Sequence, residues 1–279
     1  MKKSLSFLSL LLLLCGCENS FTSSTPMPSD DVQVRFRFQP YDIEPMSRAV
    51  TAISEYATHL DVWVYDSDDL VTEFHQSSTD DGFGTVAATL NSTKTYQVYA
   101  AAHRCASNAT LTADLLSFPD DKLTHSFFTT YEVTPVKGTT YNVTMPSIVA
   151  QLQFTTTDAV PADVKAFRFT IYNIFDRWDV LSGGTHNLDR VTTFDSFSKK
   201  QDNTVTFNLY AIVTDTSTPH DVLVEALDEN GDEVESHLFE DVPLRNGYRT
   251  IASGAFFTNA AASFVFKADE WSGTIDYDF

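Results

Sequence analysis

The chain is 279 residues long, and its 22 Phe, 11 Tyr and 3 Trp provide enough aromatic surface to build a core by burial alone. At roughly 100 to 150 residues per domain, it has room for two domains. Its 38 acidic residues against 18 basic ones give a formal charge of −20, which repels phosphate backbones and anionic headgroups and excludes nucleic acid as a partner.

The first residues set the compartment. Lys2 and Lys3 precede an apolar run from Leu5 to Leu14, followed by Cys15, Gly16 and Cys17. The run is too short to span a bilayer, and small Gly16 sits directly before a cysteine. Leu14-Cys15-Gly16-Cys17 resembles the bacterial lipobox, which makes residues 1–16 a lipoprotein signal peptide and Cys17 the site of lipid attachment. Cys15 fills a slot that normally takes a small residue. The alternative is an ordinary secretory signal that merely contains cysteines. Removing residues 1–16 takes away two basic residues and no acid, so the charge moves from −20 to −22. The membrane is then reached through lipid alone. Cys105 is left as the single thiol, and no intrachain disulfide is possible in a compartment that would permit one. Residues 17–30 are small, polar and proline-containing, with no hydrophobic period. They read as a lipidated tether, which as a flexible chain reaches about 20 Å.

Strict alternation begins at Asp31, with Val32, Val34, Phe36 and Phe38 on one face and Gln33, Arg35 and Arg37 on the other. That is a half-buried strand. Pro40 and Pro45 interrupt it, and Ser47-Arg48-Ala49 leads through a loop or short helix to a second strand, Leu60 to Tyr65. Asp66-Ser67-Asp68-Asp69 is turn chemistry, and Leu70 to His75 is the return of a hairpin. Asp81-Gly82-Phe83-Gly84 turns the chain again before strands at 86–90 and 95–102. Leu111, Leu115 and Leu116 fall at helical spacing with Pro119 beyond them, which predicts a short helix over 110–118. Strands at 126–133 and 139–145 complete a first unit of about seven strands, residues 31–146.

Met145-Pro146-Ser147 marks the boundary, because proline fits a hinge better than a ladder position. The second unit, residues 147–279, has strands at 148–155, 164–174, 205–214, 222–227, 233–239, 248–257 and 264–266. Ile275, Tyr277 and Phe279 alternate with Asp276 and Asp278 to close it. Asn230-Gly231 lies between two alternating runs and predicts a type I′ turn, with positive φ at both positions; Asn246-Gly247 repeats the device. The fold class is all-β, two tandem β-sandwiches.

No constellation carries chemistry. HExxH, paired CxxC, GxSxG and phosphate-cradling glycine loops are all missing from the sequence. The histidines at 59, 75, 103, 125, 186, 220 and 237 follow no metal-ligand spacing and read as solvent or turn residues. The acidic clusters at 66–69 and 228–232 offer the hard oxygens that Ca²⁺ takes, yet they lack the downstream bidentate Glu of an EF-hand and read as solvated hairpin turns. Ser182-Gly183-Gly184 is a loop rather than a nucleophile. The chain therefore has no catalytic, cofactor or metal residues to assign, and it reads as a non-enzyme. Trp63, Trp178 and Trp271 with Tyr65, Tyr99 and Tyr172 could stack on sugars. Trp63 faces away from Val62 and Val64, however, and is core if that face is covered.

Order and spacing also carry a family resemblance. The lipobox, the alternating first strand, Ser47-Arg48-Ala49, Leu60 to Asp66, Thr95 to Ala102, Val242 to Thr250 and Gly254-Ala255-Phe256-Phe257 together resemble the fimbrillin superfamily. These are lipid-exported subunits of the fimbriae of gut and oral gram-negative anaerobes, and the likeness covers the whole chain. It implies transthyretin-like sandwiches that polymerise by strand exchange. A protease would cut after Arg48, residues 31–38 would leave, and a strand from another subunit would fill the groove, which is β-augmentation. Anchor subunits keep their lipid. The chain ends eight residues after Trp271, which favours a tip, anchor or accessory role over an interior one. The implied partners are other fimbrial subunits, the outer membrane through the lipid, and a host protein or glycan. The implied location is the outer membrane and the surface fimbrium. The alternative is a stand-alone outer-membrane lipoprotein that binds glycans or host ligands through exposed aromatics.

Overall fold

In the computed structural model the alternating run at the start of the folded body becomes β1 (Asp31–Tyr41). Val34, Phe36 and Phe38 are buried and Gln33, Arg35 and Arg37 exposed, as a period of two requires. The structure describes residues 30–41, 52–213, 219–258, 264–270 and 273–276. Cys17, Arg48, Trp271, Tyr277 and Phe279 lie outside the described residues, with the signal and nearly all of the tether.

The strands that follow are β2 (His59–Asp66), β3 (Asp69–Ser77), β4 (Thr85–Asn91), β5 (Tyr96–His103), β6 (Thr110–Thr112), β7 (Leu115–Ser117), β8 (Phe127–Val133) and β9 (Thr140–Pro146). After them come β10 (Ala150–Thr156), β11 (Ala166–Asp179), β12 (Gly183–Phe194), β13 (Thr206–Ala211), β14 (His220–Leu227), β15 (Glu233–Val242), β16 (Tyr248–Gly254), β17 (Val265–Glu270) and β18 (Gly273–Asp276). The described residues contain no α-helix, only two short 3₁₀ turns.

Set side by side, the two halves have one topology. In the first, β1 lies between antiparallel β4 and parallel β9, and a facing sheet runs β3-β2-β5-β8. In the second, β10 lies between antiparallel β13 and parallel β16, and the facing sheet runs β12-β11-β14-β15. Strand for strand, β1, β2, β3, β4, β5, β8 and β9 correspond to β10, β11, β12, β13, β14, β15 and β16. Each half encloses its own core, around Phe36, Phe38, Leu60 and Phe127 in the first and around Phe154, Phe167, Phe169 and Phe256 in the second. The second is built mostly of interlocked rings. Phe154 meets Phe169 edge-on at 5.4 Å and Phe167 meets Phe207 at 4.9 Å, arrangements that add to simple burial.

Two additions break the correspondence. β17 and β18 extend the second half beyond β16, whereas among the described residues β9 pairs with no strand but β1, and the bridge Phe127–Ser147 follows its end. The segment between β5 and β8 departs furthest from expectation, because residues 110–117 form the hairpin β6–β7 instead of a helix. Ala113 and Asp114 both take positive φ, at 46° and 67°, and fold the chain into a tight turn. Leu111 and Leu116, read as neighbours on a helix, are cross-strand partners. β7 then pairs with the end of β11, Leu116 opposite Trp178, so a piece of the first half becomes a strand in the sheet of the second. A third core forms there from Trp63, Ala101, Leu116, Phe118, Phe128, Ile148 and Ile212, joining both halves.

Three smaller expectations are corrected. β12 has no counterpart in the sequence reading, because its polar residues give no alternation; Gly184 lets it lie where a Cβ would strike the Phe175 ring at 2.0 Å. At Asn230-Gly231 only Gly231 has positive φ, 82°. The turn is therefore not type I′: Gly231 N–H donates to Asp228 O at 3.2 Å, Asp228 N–H to Asp232 O at 2.9 Å, and an extra residue is absorbed as a bulge. Pro146 ends β9 opposite Tyr41 as a ladder position, which an edge strand tolerates.

Candidate functional site

The strand that the sequence singles out as exchangeable occupies the centre of its sheet. β1 is in register with β4 from Asp31↔Asn91 to Arg37↔Thr85 and with β9 from Arg35↔Thr140 to Tyr41↔Pro146. Further backbone bonds extend the ladder: Arg35 N–H to Thr139 O at 2.9 Å, Gly138 N–H to Gln33 O at 2.9 Å and Phe38 N–H to Gly84 O at 2.8 Å. Its inward side chains are fully enclosed, with Val34 at 1%, Phe36 at 0% and Phe38 at 2% exposure. Phe36 lies 5.5 Å from the Tyr141 ring and 6.4 Å from Phe38. Taking β1 away would open an apolar trough floored by the first core and leave unpaired backbone along both β4 and β9. Burying each Phe side chain is worth about 1.5–3 kcal/mol, so a replacement strand with the same alternation has a strong thermodynamic reason to enter.

The second candidate feature was not visible in the sequence. On the outer face of β2, Asp61 is completely buried and accepts from three sides. His103 Nε2 lies 2.8 Å from Oδ2, the Ala109 N–H donates to Oδ2 at 2.8 Å, and His75 Nδ1 lies 2.6 Å from Oδ1. Cross-strand pairing builds the group: Asp61 stands opposite His75 on β3 and Ala101 on β5, and His103 is two residues along from Ala101 on the same face. His59 stacks on His103 at 5.4 Å, and Phe118 meets it edge-on at 5.3 Å. Burial lowers the His103 pKa, but the hydrogen bond to Asp61 and the neighbouring Cys105 more than reverse this and raise it to about 9. The Cys105 N–H points at His103 Nδ1 at 3.2 Å, a contact that suits the neutral ring, so a proton on Nδ1 displaces that bond. Burial and the neighbouring His103 lower the pKa of His59.

Carboxylate, imidazole and thiol stand here in the order of a nucleophilic triad, yet Asp61 and His103 are enclosed and the Cys105 thiol is engaged with Lys122 O at 3.3 Å. The group acts as a clamp. Through Ala109 it ties the root of the β6–β7 hairpin to β2, and the hairpin ties the two halves together.

The remaining sequence candidates fall as follows. Trp63 is 3% exposed and belongs to the third core, so it is not a platform. Tyr65, Tyr99 and Trp178 are half-buried against the same core. His103, His125 and His220 are buried, contrary to the reading of scattered solvent residues. β5 and β14 place His103 and His220 on covered faces, and His125 is enclosed in the bend before β8, which the spacing could not reveal. The acidic turns are engaged with their own neighbours: Asp66 pairs with Lys94 at 2.5 Å, and Asp228 accepts the N–H groups of Asn230 and Asp232 at 2.8 and 2.9 Å. Ser182 donates its hydroxyl to Asp179 at 2.9 Å. Among the described residues no group of three His, Cys, Asp or Glu is arranged to hold a metal ion, and no helix is long and apolar enough to cross a membrane.

Residues 26–279 match the family of unknown function DUF6562. The chain belongs to that family. No curated protein matches it. Among solved structures, a candidate polysaccharide-binding protein (DUF1812) from Bacteroides thetaiotaomicron is similar at a TM-score of 0.59 and 10% identity, covering 88% of this chain and 98% of that one. A candidate adhesin from the same organism is similar at 0.58 and 13%, covering 91% and 100%. The fimbrial anchor protein Mfa2 from Porphyromonas gingivalis is similar at 0.50 and 10%, covering 89% and 100%. The fold is thus shared with a fimbrial anchor and with adhesin-like proteins, as the fimbrillin resemblance implied for the architecture.

Proposed function

We propose that the chain is a fimbrial subunit, of the tip, anchor or accessory kind, that assembles with other subunits by β-strand exchange and contributes to adhesion at the cell surface. The observation that carries this is the position of β1: the first strand of the described residues is central in a three-stranded sheet, paired on both sides and apolar on its inner face. A strand so placed is the one whose departure opens a groove without disturbing the order of the others.

In this reading Cys17 carries the lipid, residues 17–30 are the tether to the outer membrane, and residues 31–146 and 147–279 are the two sandwich domains. Arg48 lies just past β1, so cleavage there leaves the strand held by its ladder and side chains alone. The likeness to a fimbrial anchor at a TM-score of 0.50 supports the assignment.

Sequencing the N-terminus of protein extracted from the cell surface tests it. A start at Ala49 in high-molecular-weight assemblies identifies an exchanged subunit, and lipidated Cys17 with co-purifying fimbrial subunits identifies an anchor. Lipidated monomer without any fimbrial partner rejects the proposal in favour of a stand-alone lipoprotein.

A further inference from the structure

The outer face of the sheet β3-β2-β5-β8 carries a feature that strand exchange does not use. Cross-strand partners share a face, so the pairings Tyr65↔Leu70, Tyr65↔Gln97 and Gln97↔Glu132 make one row across it. The next row toward the second half contains Trp63 and Tyr99, and the one after it contains the enclosed Asp61. Exposure falls along this direction: Leu70 is 47% exposed, Tyr65 and Tyr99 are half-buried, and Trp63 is 3% exposed. The face is therefore a step, open at Tyr65 and closed at Trp63.

The step has aromatic walls and unspent polar groups. The Tyr65 and Tyr99 rings meet edge to face at 5.6 Å, and Tyr99 stacks on Phe128 at 6.4 Å, which fixes the Tyr99 ring. Among the described residues neither tyrosine hydroxyl has a hydrogen-bond partner. The Gln97 amide donates to Glu132 at 3.2 Å while its oxygen is buried without a donor. The Glu73 carboxylate is close enough to act on the Tyr65 hydroxyl, and the Asp114 carboxylate on both tyrosines. Asp114 also holds the tip of the β11–β12 hairpin beside the step, its carbonyl accepting the Val180 N–H at 2.9 Å.

We propose that this step binds a neutral carbohydrate chain. Tyrosine faces pack on the apolar side of a pyranose ring. Phenol hydroxyls and carboxylates together accept the hydrogen bonds that sugar hydroxyls donate. The acids, within a chain of charge −20, turn away sialylated, sulfated and uronic chains. A peptide strand finds no free backbone here, because the step is a sheet face and not an edge. The proposal supplies an adhesive ligand class without depending on exchange, since the β1 groove belongs to the opposite sheet.

The test is affinity electrophoresis of the whole chain in native gels containing yeast mannan, arabinogalactan or xyloglucan, with polygalacturonate as the acidic control. The expected result is retardation by at least one neutral polymer and none by polygalacturonate. Tyr65→Ala and Tyr99→Ala each weaken the retardation by about fivefold or more. Leu238→Ala, on the other half, leaves it unchanged. Should an Ala variant fail to fold, the double variant Tyr65→Phe with Tyr99→Phe decides, keeping the rings and losing only the hydroxyls. Retardation by no neutral polymer, equal retardation by polygalacturonate, or full retardation of the tyrosine variants overturns the proposal. Fimbrial incorporation measured on the same variants stays normal, so failure of this site and failure of strand exchange are distinguishable.

Discussion

At the scale of single residues, the most consequential is Asp61. A fully buried carboxylate is tolerated because His75, His103 and the Ala109 N–H surround it. Replacing it with Ala leaves His103 buried beside lost acceptors, and the expected cost is about 3–5 kcal/mol, read from chemical denaturation. The same pair sets a pH dependence. The folded pKa of His103 lies above its ordinary value, at about 9. Its contribution to stability is thus full below about pH 6.5 and is lost as pH rises through 9. The urea midpoint is expected to drop between pH 6.5 and 9.5, and Asp61→Asn to flatten that drop; an unchanged profile in the variant would show that another group titrates. A stabilising change is also available. Ala113 sits at φ 46° in the β6–β7 turn, so Ala113→Gly should raise stability by about 1 kcal/mol, because glycine adopts this region without the Cβ penalty.

Among the elements, β1 and the β6–β7 hairpin have opposite tasks. β1 is held by two ladders and by the inward side chains of Val32, Val34, Phe36 and Phe38, all of which a donor strand can replace. Phe36→Ala removes a ring at 0% exposure and is expected to cost about 3–5 kcal/mol. A chain cut between β1 and β2 should keep its fold while the strand is bound and recover thermal stability when a peptide of residues 31–41 is returned; no recovery would mean that the groove collapses once vacated. The hairpin is a strap. Leu116 is fully buried opposite Trp178, and Leu116→Ala should speed amide exchange at residues 115–117 and 178–179 while leaving β10 and β16 protected.

For the molecule as a whole, one topology used twice leaves two differently treated edges. β16 is covered by β17, which β18 extends, whereas among the described residues β9 pairs with no strand but β1. The third core, with Trp63 and Phe128 from one half and Ile212 from the other, couples the two. A single cooperative unfolding transition is therefore expected by calorimetry; two separate transitions would show that this core is too weak to couple the halves. Delivery is tested independently. An alkyne palmitate label should follow the parent chain and vanish in Cys17→Ala.

Local pattern determined what depends on neighbours in the chain. Val34, Phe36 and Phe38 alternating with arginines could only be a half-buried strand, and the same period set most other strands and the all-β class. The spacing of Leu111, Leu115 and Leu116 was compatible with a helix and with a hairpin, and only the edge offered by β11 selected the hairpin. Nothing near β12 announced a strand, because its partner β11 supplies the order. Asp61, His75 and His103 are up to 42 residues apart in sequence, and their meeting depends on the cross-strand register of three strands, a long-range choice made by core packing. Whether Trp63 was surface or core was decided in the same way, by a second sandwich lying over a face that, in an isolated sheet, would have been wet.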